Sequence, residues 1–161
     1  MTERRARLDF INTARIVLGG SLKNTSKIES LYRLRFPYTK IIKTNFQTAE
    51  LVKYMANCFF ATKVSFFNEM FLLCEKLNLN WGQIIEGVMS DSRIGNTHYQ
   101  VPGHDGSRGF GGTCFPKDIN ALISLFKENK IDPLILNSVW ETNLKVRKNL
   151  DWAEQPSAVS E

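Results

Sequence analysis

A ten-residue run from Gly109 to Asp118, GFGGTCFPKD, holds the side chains of this 161-residue chain that are best suited to chemistry. Its glycines allow the backbone to adopt positive φ angles and to approach a ligand closely. Pro116 is a helix-start signal, so we expect Cys114 at or just before a helix N-terminus. The partial positive charge at such a terminus favours a thiolate. The run therefore predicts a nucleophilic cysteine, with Lys117 and Asp118 beside it.

The other interpretation of a lone cysteine is a small, buried, apolar side chain. We adopt it for Cys58 and Cys74, which lie in a continuous apolar segment, and leave both interpretations open for Cys114. Lys53 and Asn57 are four residues apart and would share one face of a helix. They could face solvent, or a buried Lys53 could hold an anionic substrate or an oxyanion.

Residues 90–108 are rich in Gly, Asp, Asn, Ser and His, which predicts a long loop of the kind that is often functional. Arg93 in this loop is either exposed or contacts a phosphate or carboxylate. His98, His104 and Asp105 do not have the spacing of a metal-ligand set, so we expect no metal site.

The N-terminal third of the chain has the pattern of an incomplete α/β unit. We predict an irregular approach at 9–12, a strand at 15–20, a helix at 21–36 and a second strand at 41–46. Residues 1–46 are too short to form a domain by themselves, so they are interpreted as the tail of a larger α/β domain.

A long helix follows. Residues 47–77 contain no Gly and no Pro, which predicts one helix of about 30 residues and about 45 Å. Its apolar residues cover more than one face, which indicates burial on two sides, so we expect a partner subunit to pack along it. The shorter elements predicted after it are helix 81–89, loop 90–108, helix 116–129, helix 134–150 and a polar tail at 151–161.

Composition limits the classes of function. The net charge of +5 suits an anionic partner, but the lysines are scattered without an aromatic-basic motif, so we do not expect nucleic-acid binding. No apolar run reaches the ~18 residues of a membrane span, so we expect no membrane segment. Three widely spaced cysteines do not make a disulfide framework, which favours a reducing, cytoplasmic compartment.

Three motifs together resemble the central domain of the UDP-glucose/GDP-mannose 6-dehydrogenase family. They are TAELVKYMAN at 48–57, DSRIG at 91–95 and GFGGTCFPKD at 109–118. The resemblance covers about residues 1–150, and His98-Tyr99 ahead of Pro102-Gly103 looks most like UDP-glucose 6-dehydrogenases.

The resemblance implies a mostly α fold with a small α/β N-terminal remnant. A long central dimerisation helix would pack with shorter helices, as in the C-terminal helical domain of 6-phosphogluconate dehydrogenase. Residues 1–46 would then be an incomplete tail of the NAD-binding Rossmann domain, 47–150 the helical central domain, and 151–161 a linker or disordered tail. Because no Gly-x-Gly-x-x-Gly turn opens the sequence, we expect this chain alone to lack NAD binding and turnover.

The activity that the resemblance implies is the NAD-dependent, two-step oxidation of UDP-glucose to UDP-glucuronate, for polysaccharide biosynthesis. Cys114 matches the nucleophile that forms a thiohemiacetal and then a thioester. Lys53 and Asn57 match residues that hold the substrate and stabilise negative charge on its reacting oxygen. Asp118 matches the residue that helps to activate the thiol or the hydrolytic water, and Lys117 is assigned to the cofactor.

The UDP-sugar is expected to contact Tyr99, Gly109, Phe110 and Gly111, and Arg93 to reach the substrate of the neighbouring subunit in a homodimer formed by helix 47–77. Two alternatives stay open. One is a GDP-mannose or other UDP-sugar dehydrogenase of the same family, and the other is a non-catalytic helical dimerisation module. The second alternative would not need Cys114.

Overall fold

The computed structural model describes residues 6–154, and of residues 6, 7, 9 and 154 it describes the backbone alone. Over this range the chain is mostly helical with one small parallel sheet, as predicted. In chain order the elements are α1 (Ala6–Ile11), β1 (Arg15–Gly19), α2 (Leu22–Arg35), β2 (Lys40–Thr44), α3 (Phe46–Lys76), α4 (Trp81–Met89), α5 (Cys114–Glu128), α6 (Leu134–Val146) and a 3₁₀ turn at Asp151–Glu154.

Several boundaries differ from the predictions. Residues 6–11 form a short helix, where an irregular approach was expected at 9–12. Phe46 begins α3 rather than ending β2, and α5 begins at Cys114, two residues before the predicted start. Residues 151–154, which we assigned to a linker, form a 3₁₀ turn with Trp152 buried, and residues 155–161 of that tail lie outside the described residues.

The chain divides into two compact units, of which the first ends at Lys53 and the second begins at Tyr54. In the first unit β1 and β2 are parallel, with Ile16 opposite Ile41 and Val17 opposite Ile42, and α2 is the connection between them. Ser21 caps α2, since its hydroxyl accepts a hydrogen bond from the amide of Asn24 over 3.4 Å.

The core of the second unit lies between α3, α5 and α6. Its buried members are Cys58, Ala61, Phe110, Ile119, Leu122, Ile123 and Val139. The inward residues of α3 recur at helical spacing, and two of them, Ser65 and Asn68, are polar. Ser65 donates a hydrogen bond of 3.0 Å to the carbonyl of Val139, which fastens α3 to α6.

A second face of α3 carries exposed apolar side chains. Met55, Phe59, Phe66 and Leu73, here called the α3 stripe, are 59%, 62%, 53% and 51% exposed. Their spacing of four and then seven residues places them on one side of the helix. Of the two sides on which burial was predicted, one is buried within the described residues, and burial of the second side by a partner subunit stays a prediction. No helix within residues 6–154 is long and apolar enough to cross a membrane.

Candidate active site

Cys114 is the first residue of α5 and is exposed. The preceding residue, Thr113, has helical φ and ψ angles, and its side chain makes no capping hydrogen bond. The amides of the first helical turn have no acceptor within the helix, so their partial positive charge lies around the thiol. The prediction of a cysteine at a helix N-terminus matches this placement.

Asp118 lies one turn after Cys114 on α5 and is fully buried. One carboxylate oxygen accepts a hydrogen bond of 2.5 Å from the side-chain amide of Asn57, and the other is paired with the Lys117 ammonium, also at 2.5 Å. A buried carboxylate needs such donors, because burying an unpaired charge is costly. The hydrogen bond to Asp118 raises the pKa of Lys117, against the opposing effect of burial.

Cys58 lies beside the same carboxylate but has a different character. Its thiol donates a hydrogen bond of 3.6 Å to the backbone carbonyl of Asp118. Burial, and after it the charge of Asp118, raise the pKa of Cys58 to about 11. Cys58 is therefore a protonated core residue, in agreement with its interpretation as a buried apolar side chain.

The structure thus brings together three of the predicted site residues, Cys114, Asp118 and Asn57. Lys53 lies four residues before Asn57 on α3 and is the last residue of the first unit. Lys117, which we predicted to contact the cofactor, lies with its ammonium 5.8 Å from the centre of the Tyr54 ring. Its side chain is 37% exposed, so one side of it remains accessible.

The glycine segment, residues 109–112, is held at its first half by two buried asparagines. The Gly109 amide donates 3.0 Å to the side-chain oxygen of Asn68 on α3. Asn143 on α6 makes two hydrogen bonds with the backbone of Phe110. Its side-chain oxygen accepts from the Phe110 amide at 2.7 Å, and its side-chain nitrogen donates to the Phe110 carbonyl at 3.0 Å. The Phe110 ring is itself in the core. Phe110 is therefore a structural anchor of the segment.

The second half of the segment meets an ion-pair cluster. The Gly112 amide donates a hydrogen bond of 3.0 Å to the Asp151 carboxylate. Gly111 packs so closely on the Arg147 guanidinium that a Cβ at Gly111 would overlap it. Arg147 is buried and donates to Asp151 at 3.1 Å and to Asp105 at 2.8 Å. Gly112 has a φ of 70°, which favours glycine.

Arg93 is exposed in the long loop and is paired with its near neighbour Asp91 through two side-chain nitrogens, at 2.5 to 3.1 Å. The turn that carries it is fastened to α3 by Lys63, whose ammonium donates to the carbonyls of Ile94 and Gly95 at 3.1 and 2.9 Å. Burial lowers the pKa of Lys63. Arg93 is thus presented outward on an anchored turn.

His98 and Tyr99 face aromatic neighbours. The His98 ring stacks on Phe60, with centroids 4.2 Å apart, and its Nδ1 is buried without a hydrogen-bond partner. Burial, with the charges of Lys63 and His104, lowers the pKa of His98. Within residues 6–154 no group of three or more His, Cys, Asp or Glu side chains is arranged to hold a metal ion.

Tyr99 also lines an open depression of about 410 Å³, bounded by loop residues 99–104 and by Trp81 and Ile85 of α4. Its ring makes an edge contact with Phe67, with centroids 6.3 Å apart. The described structure does not bring Tyr99 or Arg93 into contact with Cys114.

Sequence reasoning missed the residues that hold the glycine segment, namely Asn68, Asn143, Arg147 and Asp151. A signal was present for the two asparagines, because each lies at a core-facing position of its helix. A buried polar group at such a position must find a partner, and backbone amides are the commonest one. Arg147 and Asp151 carried no such signal, since both follow a helix end.

The fold and these side chains define a helical domain that presents an exposed thiol one helical turn from a buried, hydrogen-bonded carboxylate. The model of the UDP-glucose/GDP-mannose dehydrogenase family, central domain, matches residues 47–145. The chain therefore belongs to this family, as the three motifs predicted.

Individual relatives agree. The UDP-glucose 6-dehydrogenase of Rickettsia prowazekii (strain Madrid E) is 42% identical over 139 residues, which are 84% of this chain and 30% of that protein. UDP-glucose 6-dehydrogenase TuaD of Bacillus subtilis (strain 168) is 38% identical over 144 residues, 88% of this chain and 30% of the relative. The structure of a UDP-glucose dehydrogenase from the hyperthermophilic archaeon Pyrobaculum islandicum matches with a TM-score of 0.76 and 33% identity, over 86% of this chain and 31% of that one. The chain spans about 30% of the length of the curated relatives.

Proposed function

We propose that this chain supplies the nucleophile half of the active site of an NAD-dependent UDP-glucose 6-dehydrogenase. One observation carries the proposal: the exposed thiol of Cys114 lies on the helical turn that ends at the buried Asp118–Asn57 pair. UDP-glucose is the proposed substrate because the relatives at about 40% identity are named UDP-glucose 6-dehydrogenase.

The proposed reaction of the thiol starts from the C6 aldehyde of the UDP-sugar. The Cys114 sulfur attacks the carbonyl carbon, forming a C–S bond while the carbonyl oxygen takes up a proton, and the product is a thiohemiacetal. Loss of the C6 hydride and of the hydroxyl proton leaves a thioester. Water then attacks the thioester carbon, the C–S bond breaks, and the thiol is regenerated with release of the carboxylate.

Asp118 and Asn57 are suited to support this chemistry. Residues four apart on a helix lie on the same face, so the Asp118 carboxylate is placed to accept a proton from the Cys114 thiol or from the hydrolytic water. The amide of Asn57 keeps the carboxylate oriented by its 2.5 Å hydrogen bond. We assign Lys53, one turn before Asn57 on α3, to the stabilisation of negative charge on the reacting oxygen.

NAD would accept the hydrides of this reaction, and most of its contacts would lie outside the residues described here. The Gly-x-Gly-x-x-Gly pattern of a dinucleotide-binding turn does not occur within residues 6–154. Lys117 is the described residue assigned to the cofactor, and its ammonium is already ion-paired with Asp118. The described residues therefore do not fit a complete NAD site, and we expect this chain alone to be inactive.

The substrate and partner contacts complete the proposal. The UDP-sugar would lie against the backbone of Gly109 and Gly111 and reach Tyr99. Phe110 would support this contact indirectly, because it anchors the glycine segment in the core. The α3 stripe is the proposed homodimer contact, and Arg93, which points outward on its anchored turn, is the residue assigned to a partner's substrate.

A chimera tests the proposal. The matching third of the Bacillus subtilis relative is replaced by this chain, and formation of NADH and UDP-glucuronate is measured. We expect turnover in the chimera and a loss of at least about 10³-fold with Cys114→Ala, as removal of a nucleophile costs. Asn96→Ala, at an exposed loop position, is the control. Acid formation at the parental rate by Cys114→Ala would refute the nucleophile assignment, and a folded, dimeric but inert chimera would favour the dimerisation module.

A further inference from the structure

The Arg147 cluster has no place in the chemistry proposed so far, yet it contacts Gly111 and Gly112, just before Cys114 in the chain. The Arg147 side chain is 1% exposed, and one of its nitrogens, Nη2, donates to both Asp105 and Asp151. Its Nε donates 2.8 Å to the carbonyl of Asn149. Trp152 is buried, with its ring centre 5.9 Å from the guanidinium carbon.

Asp151 uses its two oxygens for two different partners. Oδ1 accepts from Arg147 at 3.1 Å, and Oδ2 accepts from the Gly112 amide at 3.0 Å. Gly112 is two residues before Cys114, and its φ of 70° gives the chain the turn that leads into α5. The orientation of the carboxylate therefore bears directly on the backbone that precedes the thiol.

Asp105 connects the same guanidinium to the long loop. Burial would raise the pKa of Asp105, but the hydrogen bond and charge of Arg147 hold it below its usual range. A buried guanidinium is costly unless it is paired, and here one nitrogen of Arg147, Nη2, is shared by the two carboxylates. Loop and glycine segment thus share a single buried cation.

We propose that Arg147 and Asp151 are positioning residues for Cys114: Arg147 orients the Asp151 carboxylate, whose second oxygen holds the Gly112 amide and fixes the turn that enters α5. The inference rests on the proposed function only in taking Cys114 as the nucleophile. Arg147 and Asp151 do not take part in the reaction, and their role is to fix the position of the Cys114 thiol.

The test measures two quantities on this chain: the hydrogen-exchange rate of the Gly112 amide by NMR, and the alkylation rate of Cys114 by iodoacetamide. With Asp151→Ala we expect the Gly112 amide to exchange at least about tenfold faster, as loss of one hydrogen bond implies. Cys114 alkylation should rise roughly threefold as the turn loosens. Asp151→Asn retains one acceptor oxygen for the Gly112 amide but sets an NH2 group against Arg147, so both rates should lie between those of the parent and those of Asp151→Ala.

Two further variants complete the test. Asp132→Ala, at an exposed position, is the matched control and should change neither rate. If Asp151→Ala does not fold, Arg147→Lys replaces it. The charge is kept, but the Nε hydrogen bond to the Asn149 carbonyl, which orients the side chain, is lost, and Gly112 exchange should still rise by about threefold or more. Parental rates in a folded Asp151→Ala or Arg147→Lys would overturn the inference, as would equal effects of Asp151→Ala and Asp151→Asn. Gly112 exchange reports on this bond whether or not Cys114 reacts with a sugar aldehyde, so this experiment and the chimera fail independently.

Discussion

The side-chain amide of Asn57 donates a hydrogen bond of 2.5 Å to Asp118, a carboxylate 61 residues away in sequence and fully buried between α3 and α5. The contact joins the long helix to the helix that begins with Cys114. It makes the stability of the second unit depend on a residue that we assign to the active site.

Asn57→Ala should lower the free energy of unfolding by about 1–3 kcal/mol, because it removes a donor from a buried carboxylate. Urea denaturation of this chain measures the change. Asn96→Ala, which truncates an exposed loop side chain of the same type, should lie within about 0.5 kcal/mol of the parent. Equal stability of the two variants would contradict the role given to the Asn57–Asp118 bond.

The three cysteines should differ in reactivity. Cys114 is exposed, whereas Cys58 and Cys74 are buried, and burial together with the charge of Asp118 raises the pKa of Cys58 to about 11. At pH 8, iodoacetamide should modify Cys114 at least about 100-fold faster than Cys58, since the thiolate is the reactive form. Peptide mass spectrometry measures the rates, and the urea-denatured chain, with all three thiols accessible, is the control. Preferential modification of Cys58 in the folded chain would show that the core around Asp118 opens.

The sequence was sufficient for features that depend on local pattern. The absence of Gly and Pro predicted α3, and α4 was predicted with its observed bounds, where Asn80 caps the first turn. The helix start near Cys114 was also predicted from a local signal, Pro116. The three motifs predicted the family, which the match to residues 47–145 confirms.

The remaining features depend on contacts between distant residues. Asn68 and Asn143 hold amides that are 41 and 33 residues away, distances over which a sequence pattern carries no information about pairing. Helix α6 was expected to reach residue 150, because nothing in its composition stops it. It ends at Val146, where Arg147 adopts an extended backbone and its side chain enters the ion-pair cluster. Tertiary contacts here override local propensity.

Substitution by alanine should have opposite effects on stability at two glycines, Gly111 and Gly87. A Cβ at Gly111 would overlap the buried Arg147 guanidinium, so Gly111→Ala should cost at least about 2 kcal/mol of unfolding free energy. Gly87 lies inside α4 with open space around it, so Gly87→Ala should stabilise the chain by about 0.5–1 kcal/mol through helix propensity. Thermal or urea unfolding of both variants gives the comparison. Tolerance of Gly111→Ala would mean that Arg147 is free to move.

His98 should make stability depend on pH. Its folded pKa lies below the ordinary value of 6.5, so the unfolded chain takes up its proton first as the pH falls. The free energy of unfolding should therefore decrease below about pH 6.5, until the folded-state pKa is passed. His98→Phe keeps a ring against Phe60 but cannot ionise, so it should flatten this slope. Position 98 has a φ of 60°, which destabilises a Phe there at every pH. The comparison therefore uses the slope of unfolding free energy against pH and not the absolute stability. Identical slopes between pH 5 and 7 would exclude His98 as the source.

The α3 stripe should hold two copies of the chain together. Four large apolar side chains, Met55, Phe59, Phe66 and Leu73, are each more than half exposed along one side of a 31-residue helix. Exposed apolar side chains aligned along one helix are typical of an interaction site. Sedimentation equilibrium should give the mass of a dimer for the parent and of a monomer for Phe66→Glu, because a charge at the centre of an apolar interface must be desolvated without a partner. Ile135→Glu, at a 70% exposed apolar position on α6, is the control and should remain dimeric. A dimer that persists in Phe66→Glu but is lost in Ile135→Glu would move the interface from α3 to α6.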